Sequence, residues 1–580
     1  MRTDHDPTPA LDHDVVVVGG GPTGLSAAIG LGRLGVRTLL VERRATTSYH
    51  PRGHVVNGRS LEIFRSWGVA EEVLAAGLPR ERNRGSAFVT RLAHPEFGAL
   101  VTHGHSPEFD REVAGYAPHV KSSCPQDVLE PILLRAASAL PAVDVRFGTT
   151  VLGVDHVDDV DDAEGADGAD GAVTVRLSAD GGPESQVRAR FVIAADGAAS
   201  PLRDQLGVRL EGPERLGAQM GIYFHADLSR YVADRPYLLW WVYNPETTGV
   251  LITLDGRHRW TYNFAYDPAT TEPASFTTER CVEIVRALVG DPDLDVDVRS
   301  ARPWQMQARV ATRMRVGNVF LAGDDAHPLP PTGGQGMNTG VGDVHNLAWK
   351  IAAVLRGRAG RHLLDTYEEE RRPVARFNVD QSLANAERMA RAGLGGMLEN
   401  DLDFVARIET LDDAELGPVR AAIAEQREHF EYYGQVFGIS YESPGIRPDG
   451  TEPVPSPVGR YLPVGRPGAR APHLWLDPDR TRSLQDLFGA GFVLLTTAAG
   501  KRRWTAPEEV DVVAVGAEAR HAGVEDDFRA VYGIGADGAV LVRPDGHIAW
   551  RASAFDPTID LSDVLDHLLL RQPDLMEATA

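Results

Sequence analysis

The sequence predicts an α/β protein with a Rossmann-like, parallel nucleotide-binding sheet, and three apolar strand ends predict it. Val15–Val18 runs into the glycine pattern Gly19-x-Gly21-x-x-Gly24, Phe191–Ala195 into Asp196-Gly197, and Val319–Ala322 into Gly323-Asp324. All-apolar strands suit a sheet covered on both faces, and such sheets bind ligands beyond the carboxyl ends of their strands.

The first strand end reads VVVVGGGPTGLSAAIG. Gly19 permits a tight turn, Gly21 lets backbone approach a pyrophosphate, and Gly24 lets the following helix pack on the strand. Pro22 and Thr23 open that helix, whose N-terminal amides can face phosphate oxygens. A second strand, Arg37–Val41, ends at Glu42, 18 residues after Gly24, where a carboxylate can take ribose hydroxyls. Gly30-x-Gly32-x-x-Gly35 and Gly533-x-Gly535-x-x-Gly538 match the same pattern without the strand-turn-helix context, so only the first predicts a dinucleotide site.

In the second stretch, AADGAASPLRDQLG, Ser200 is placed to cap and Pro201 to begin a short helix carrying Arg203. The third, GDDAHPLPPTGGQGMN, precedes a stripe of Val344, Leu347, Ala348, Ile351 and Leu355, so a helix should start near Gly336. Its free amides would be those of Gly336, Met337 and Asn338. They and the helix dipole favour a carbonyl with negative charge beside it by roughly 0.3 to 2 kcal/mol, as at the pyrimidine end of a reduced flavin. Asp324 can accept a ribityl hydroxyl, and Pro331 and the glycines let backbone lie against a flat ring.

Length and composition bound the remaining possibilities. At 580 residues the chain should hold two or three domains. A formal net charge of -23 opposes contact with nucleic acid or anionic lipid, which leaves a small molecule as the expected partner. Two cysteines, Cys124 and Cys281, with no metal-type spacing, fit a reducing cytoplasm without structural metal. The uncharged run Val15–Gly32 contains six glycines and Pro22, poor material for a membrane helix.

Elsewhere, residues 155–170 hold eight acids and no apolar period, which predicts a solvated loop. Residues 210–308 read as broad strands with a turn at Asp255-Gly256; in RWTYNF, Trp260, Tyr262 and Phe264 alternate with Arg259, Thr261 and Asn263. A linker with five prolines, ESPGIRPDGTEPVPSPVGR, precedes a small α/β unit with a strand at Phe492–Leu495, a turn at Pro544-Asp545-Gly546 and a helical stripe of Leu561, Val564, Leu565 and Leu568.

The three motifs, in this order, resemble the single-component FAD-dependent aromatic hydroxylases, close to the phenol hydroxylase and aromatic-polyketide hydroxylase branches. The resemblance implies a discontinuous FAD-binding domain (1–85, 110–205 and 309–395), an inserted β-sheet substrate domain (86–109 and 206–308), a helical segment and linker (396–458) and a C-terminal thioredoxin-like domain (459–580), here without cysteine. It places Gly19, Gly21 and Gly24 at the pyrophosphate, Glu42 at the adenosine ribose and Arg52 near phosphates and flavin, and makes Pro22, Thr23 and Arg43 cofactor-binding residues as well. Gln126 would meet the ribityl chain, Val151 the adenine, and Asp196 with Arg203 both FAD and NADPH. Asp324, Pro331, Gly336, Met337 and Asn338 would hold the flavin. Asp325 stands where many relatives carry a small residue.

The implied reaction hydroxylates a phenolic or polyketide-derived aromatic through a flavin hydroperoxide, with tightly bound FAD, molecular oxygen and transient NADPH, NADH being the other donor left open. His54 is the candidate base, with Tyr223, Tyr262 and His225 as further candidates. Two other readings stay open: Baeyer-Villiger oxygen insertion into a polyketide ketone, and a flavin-bearing protein that binds an aromatic without turnover. Oligomeric state is equally open, a homodimer included.

Overall fold

The structure is a computed structural model that describes residues 11–102, 111–155, 171–395, 402–518 and 523–571. The expected acidic loop falls outside these residues except at Asp155, the end of a strand. The apolar runs become His13–Val18, Thr38–Val41, Glu184–Ala194 and Val319–Leu321, neighbours in one eight-stranded sheet and parallel to one another. Val18 lies opposite both Val41 and Ala194, and Ala194 opposite Leu321, so these strands end level. All three sequence motifs therefore emerge along one edge.

Helices Pro22–Arg33 and Gly336–Leu355 pack together on this sheet, and a Cβ at Gly30 would meet that of Ala348 at 3.3 Å. Val15, Val16, Val17, Leu39, Leu40, Val192 and Ile193 are fully buried between the layers. The strand expected over Phe191–Ala195 begins earlier, at Glu184, because the alternating QVRAR half pairs antiparallel with Val173–Ala179 as a hairpin.

A separate seven-stranded sheet is formed by Asp297–Met306, Gly217–His225, Arg259–Tyr266, Thr247–Thr253, Leu239–Asn244, Gly85–Val89 and Gly98–Val101, in that spatial order. Strand alternation gives it two faces. Phe224, Trp260, Tyr262 and Phe264 pack on helix Thr278–Val289 through Cys281, Val285, Leu288 and Val289. Tyr223, Trp241, Tyr243, Val250 and Ile252 look the other way, toward Met389, Leu394 and Phe430.

The C-terminal unit has strands in the order Val510–Ala514, Phe492–Thr496, Ala539–Val542, Ile548–Ala552, the first pair parallel and the rest antiparallel. With helix Leu561–Leu568, this is a thioredoxin-like arrangement without cysteine. The four predicted stripe residues are all buried.

This unit docks through buried ions. Glu370, on helix Thr366–Arg391, accepts from Lys350 Nζ at 2.8 Å and from Arg543 Nη1 and Nη2 at 2.6 and 2.8 Å, and Arg543 also pairs with Asp545. Arg470 similarly reaches Glu62, which Arg59 also contacts. Burial opposes ionisation of Glu370, but Arg543 and Lys350 outweigh it and hold the carboxyl far below its ordinary value. Removing one member of such a network strands the others uncompensated, which costs about 3–5 kcal/mol. Glu370→Ala should lower stability by about that amount at neutral pH, measured by denaturant unfolding. The difference from wild type should shrink as pH falls and the wild-type carboxylate is lost; a loss under about 1 kcal/mol would show that the network contributes little.

Candidate active site

The first turn has the geometry expected for dinucleotide phosphates. Gly19 has φ of 110°, and a Cβ there would lie 2.1 Å from the Ala195 carbonyl oxygen; one on Gly24 would lie 1.8 Å from the Gly19 carbonyl oxygen. Gly21 differs, because nothing lies within 4 Å of where its Cβ would be. The open cradle sits at the N-cap of helix Pro22–Arg33, beside its free amides. Thr23 packs between two glycines, since a Cβ on Gly323 or Gly340 would come 2.7 or 2.3 Å from its hydroxyl. The phosphate turn is thus bolted to the third motif.

Glu42 accepts from the Gly20 amide at 2.6 Å and from the Arg44 amide and Nε at 2.8 and 2.9 Å. Burial opposes its ionisation, but these donors prevail and keep its pKa below the ordinary value. Arg44, unnoticed in the sequence, makes this contact, whereas Arg43 points its side chain to solvent. Val151 lies in strand Thr149–Asp155 beside a register shift.

At the second turn, the Ser200 hydroxyl accepts from the Arg203 amide at 3.0 Å and donates to Asp196 at 2.6 Å. The buried Arg203 donates to the carbonyls of Ala198 and Asp325, at 2.9 and 3.3 Å. Asp325 is more than a tolerated departure from relatives: wholly buried, it accepts from the Gly197 amide, and burial and the neighbouring Asp196 push its pKa well up. It joins the second motif to the third.

The third motif supplies a helix N-terminus. Helix Gly336–Leu355 begins where the sequence predicts, and the first amide paired within it is that of Thr339, to Gln335. The amides of Gly336, Met337 and Asn338 precede that bond. The Asn338 side chain has structural work: it accepts from the Asn57 amide and Ser60 hydroxyl at 2.9 and 2.8 Å and donates to the carbonyls of Val55 and Gly334 at 2.9 and 2.7 Å. Asp324 is set deep in the protein yet presents open surface, as a carboxylate on a cleft wall would. Burial raises its pKa, with His327 and Arg52 pulling the other way. Its Oδ1 lies 3.7 Å from where a Gly336 Cβ would be, and Pro331 is exposed nearby in the chain. Behind them Asp343 holds the loop, accepting from the Gly323 amide at 3.1 Å, contacting His327 Nε2 at 2.6 Å and pairing with Arg371 Nε at 2.8 Å.

Facing this cleft, Arg52 has its pKa lowered by burial and by Arg44 and Arg302, with Glu130 and Asp324 opposing. Gln126 opens helix Gln126–Ser138, donates to Glu130 at 2.6 Å and accepts a long 3.4 Å bond from the Gly53 amide. The next residue, Asp127, pairs with Arg259 of the seven-stranded sheet, whose Nε donates to the Tyr223 hydroxyl at 3.1 Å. That hydroxyl also meets His225 Nε2 at 3.0 Å. The RWTYNF alternation places Arg259 on the site face, but turning the polar residues inward needed the tertiary structure.

Tyr262 is separated from this group. It lies on the opposite face, fully buried, with its hydroxyl 2.7 Å from Thr247 Oγ1 and its pKa raised by burial. His54 immediately precedes strand Val55–Asn57, with Nδ1 3.0 Å from Ser123 Oγ; burial and Lys121 lower it to about 4, so its imidazole is neutral.

The Gly21 cradle, the open Asp324 carboxylate and the unpaired helix amides fit FAD laid along the sheet edge. Gly21→Val should fold, because no protein atom lies within 4 Å of the added Cβ, yet purify without the flavin's visible absorption; a yellow variant would contradict the cradle. At the Asp325–Asp196 pair, the raised carboxyl means that native stability is full below the ordinary carboxylate range and declines as pH rises. Asp325→Asn keeps an acceptor for Gly197 and removes the charge. Its melting temperature should gain on wild type as pH rises above the ordinary carboxylate range, and a difference that stays constant with pH would argue against the raised carboxyl.

Comparison with known proteins matches residues 12–382 to the FAD binding domain and residues 464–571 to the aromatic-ring hydroxylase C-terminal domain. Tetracenomycin B2 monooxygenase-dioxygenase of Streptomyces olivaceus is 36% identical, over 97% of this chain and 99% of its own. 2,4-Dichlorophenol 6-monooxygenase of Delftia acidovorans is 34% identical, over 93% and 95%. The solved flavin-dependent monooxygenase PieE, in complex with FAD and substrate, superposes with a TM-score of 0.86 at 32% identity, covering 97% of this chain and 100% of that one. With its glycine cradle, its open Asp324 and both domains matched, the chain belongs to the FAD-dependent aromatic-ring hydroxylases.

Proposed function

We propose that this enzyme hydroxylates a phenolic, polyketide-derived aromatic held between the cleft at Asp324 and the inward face of the seven-stranded sheet. The observation that carries this reading is the run of contacts that links the third motif to the sheet: Arg52 acts on Asp324, and helix Gln126–Ser138 reaches the Gly53 amide through Gln126 and Arg259, with Tyr223, through Asp127. Tyr223 and Arg259 on that sheet suit a flat, oxygenated ring. Relatives named for a tetracenomycin and a dichlorophenol support an aromatic of this kind. Bound FAD supplies activation of molecular oxygen with electrons taken from NADPH.

The protein's own residues position and shield. Gly19, Gly21 and Gly24 hold the pyrophosphate with Thr23, while Glu42 takes the ribose. Asp324 and Gln126 take the ribityl chain, and the amides of Met337 and Asn338 face the pyrimidine carbonyl. Arg52 balances phosphate charge, and Asp196 and Arg203 brace the edge on which NADPH docks. Asp127 and Arg259 fix Tyr223 toward the ring, while the packed face of Trp241 and Tyr243 excludes water. His54, being neutral, acts as a hydrogen-bond acceptor for the substrate hydroxyl at its free nitrogen. Among the described residues no helix is long and apolar enough to cross a membrane.

The test is NADPH consumption by the yellow protein across a panel of phenols and hydroxyanthraquinones, with oxygen-18 followed into the product. Hydroxylation adds the label to a ring carbon with the carbon skeleton intact, whereas insertion into a ketone would give a ring-expanded lactone in the carbon spectrum. Absence of stimulated turnover across the panel would favour binding without catalysis. His54→Ala should slow coupled hydroxylation by about 100-fold, the low end for proton-transfer assistance, with FAD content unchanged. Because the imidazole is already neutral above about pH 4, His54 should contribute no pH dependence at neutral pH. An unaltered rate in the variant would remove His54 from the reaction.

A further inference from the structure

Lys121 is a partly buried cation that the cofactor-binding residues leave unused. It begins the short strand Lys121–Ser123, paired with Val55–Asn57 and directly opposite Asn57, whose amide is held by Asn338 at the flavin helix. Its Nζ makes a long, 3.4 Å contact to the Phe430 carbonyl and lies 4.9 Å from the centre of the Tyr432 ring. An ammonium has three hydrogens to donate. Among the described residues no carboxylate is within ion-pair distance of it; Glu431, which acts on it from further away, is engaged by Arg427 at 2.9 Å.

Other polar groups without partners gather around this cation. Trp241 Nε1, His429 Nδ1 and the Tyr432 hydroxyl are buried and have no hydrogen-bond partner. They are linked by contact: the Trp241 and His429 rings meet edge-on at 6.4 Å, and His429 stacks at 4.4 Å on Phe430, the residue whose carbonyl Lys121 touches. Three parts of the chain converge here, namely the strand pair beside the flavin helix, the inward face of the seven-stranded sheet, and the segment after residue 426. Leaving buried polar groups unpaired is costly. A cation, an indole N–H and a hydroxyl, set among aromatic rings, suit one chemistry: a flat ring with a negatively charged oxygen.

We propose that Lys121, with Trp241, His429 and Tyr432, forms the subsite that receives the ionised oxygen of the aromatic substrate and holds it as a phenolate or enolate. The inference rests on the hydroxylase reading and specifies what that enzyme binds. On binding, the substrate O–H bond breaks heterolytically; its electron pair stays on oxygen and its proton passes by way of the neutral His54 imidazole to water. No electron is transferred in this step. The resulting ring is electron-rich, the form suited to attack on activated oxygen.

The charge at the subsite comes from Lys121 alone. Burial lowers its pKa to about 8, with Glu431 opposing, while burial, together with nearby cations, holds His54 to about 4 and His429 to about 3, so both imidazoles are neutral. Arg388 reaches the site only through its effect on His429, and Ser123 and Tyr432 are uncharged partners. Anion binding should therefore be strong at neutral pH and fall as pH rises past about 8.

The test uses the FAD-loaded enzyme and alizarin, a dihydroxyanthraquinone whose visible band moves to longer wavelength on ionisation. In buffer acidic enough to keep the free dye protonated, wild type should bind it with the anion's spectrum. Lys121→Met, with FAD content and melting temperature as controls, should bind at least about thirtyfold more weakly, the effect of removing one member of a buried charge pair, and without the spectral shift. Lys121→Arg should restore the shift. Trp241→Phe, which removes only the N–H, should weaken binding even if the Met variant fails to fold. The proposal is overturned if wild type does not bind the dye or binds it neutral, if Lys121→Met retains the anion spectrum, or if Trp241→Phe binds normally. The readout needs no NADPH, so a bound anion without turnover would count against the hydroxylase reading alone. Turnover with an unchanged Lys121→Met spectrum would count against the subsite alone.

Discussion

The structure depends on the level register of parallel strands. Backbone hydrogen bonding sets Val18, Val41, Ala194 and Leu321 at one height, so segments separated by more than a hundred residues deliver their turns to a single edge. Each turn then contributes one kind of group: an open glycine, a capped helix with a buried arginine, or a carboxylate before a helix N-terminus. A slip of one residue in any strand would move its motif by about 3.3 Å and turn its side chains to the opposite face. The apolar cores of these strands, buried on both sides, make that slip costly.

Close packing carries the same constraint beyond the sheet. Thr23 fills the space between Gly323 and Gly340, so the phosphate turn and the flavin helix can only move together. Asp325 bridges the second and third motifs, and Asp343 ties the flavin loop through Arg371 to Tyr441, whose ring stacks on His547 of the C-terminal unit at 4.0 Å. A thioredoxin-like unit without cysteine thus has a mechanical relation to the cofactor site. Its buried ions supply geometry where redox chemistry is absent, which accounts for so much charge placed out of water.

The electrostatics of the cleft follow from which charges are compensated. Glu42 is kept ionised by amides and Arg44, while Asp325 and Asp324 are pushed toward the neutral form by burial. Arg52 stands between two arginines, Arg44 and Arg302, and two acids, Glu130 and Asp324. Lys121 occupies the corresponding position on the substrate side. Cofactor and substrate are thereby offered separate positive sites.

The sequence by itself determined the strand ends, the glycine turn, the capped helix at Ser200 and the start of the helix at Gly336, because these rest on local rules of periodicity, capping and backbone freedom that operate within about ten residues. It also determined that Trp260, Tyr262 and Phe264 share a face. Only the tertiary structure decided which face, and it buried Tyr262 against a helix while turning Arg259 inward to Tyr223 and Asp127. The same holds for Arg44 rather than Arg43 at Glu42, for the work of Asp325, and for the meeting of Lys121 with Trp241 and His429. These are contacts between distant segments, and no local pattern encodes them: they exist because burying several apolar faces at once leaves the polar residues between those faces only one another, or a ligand, to bond.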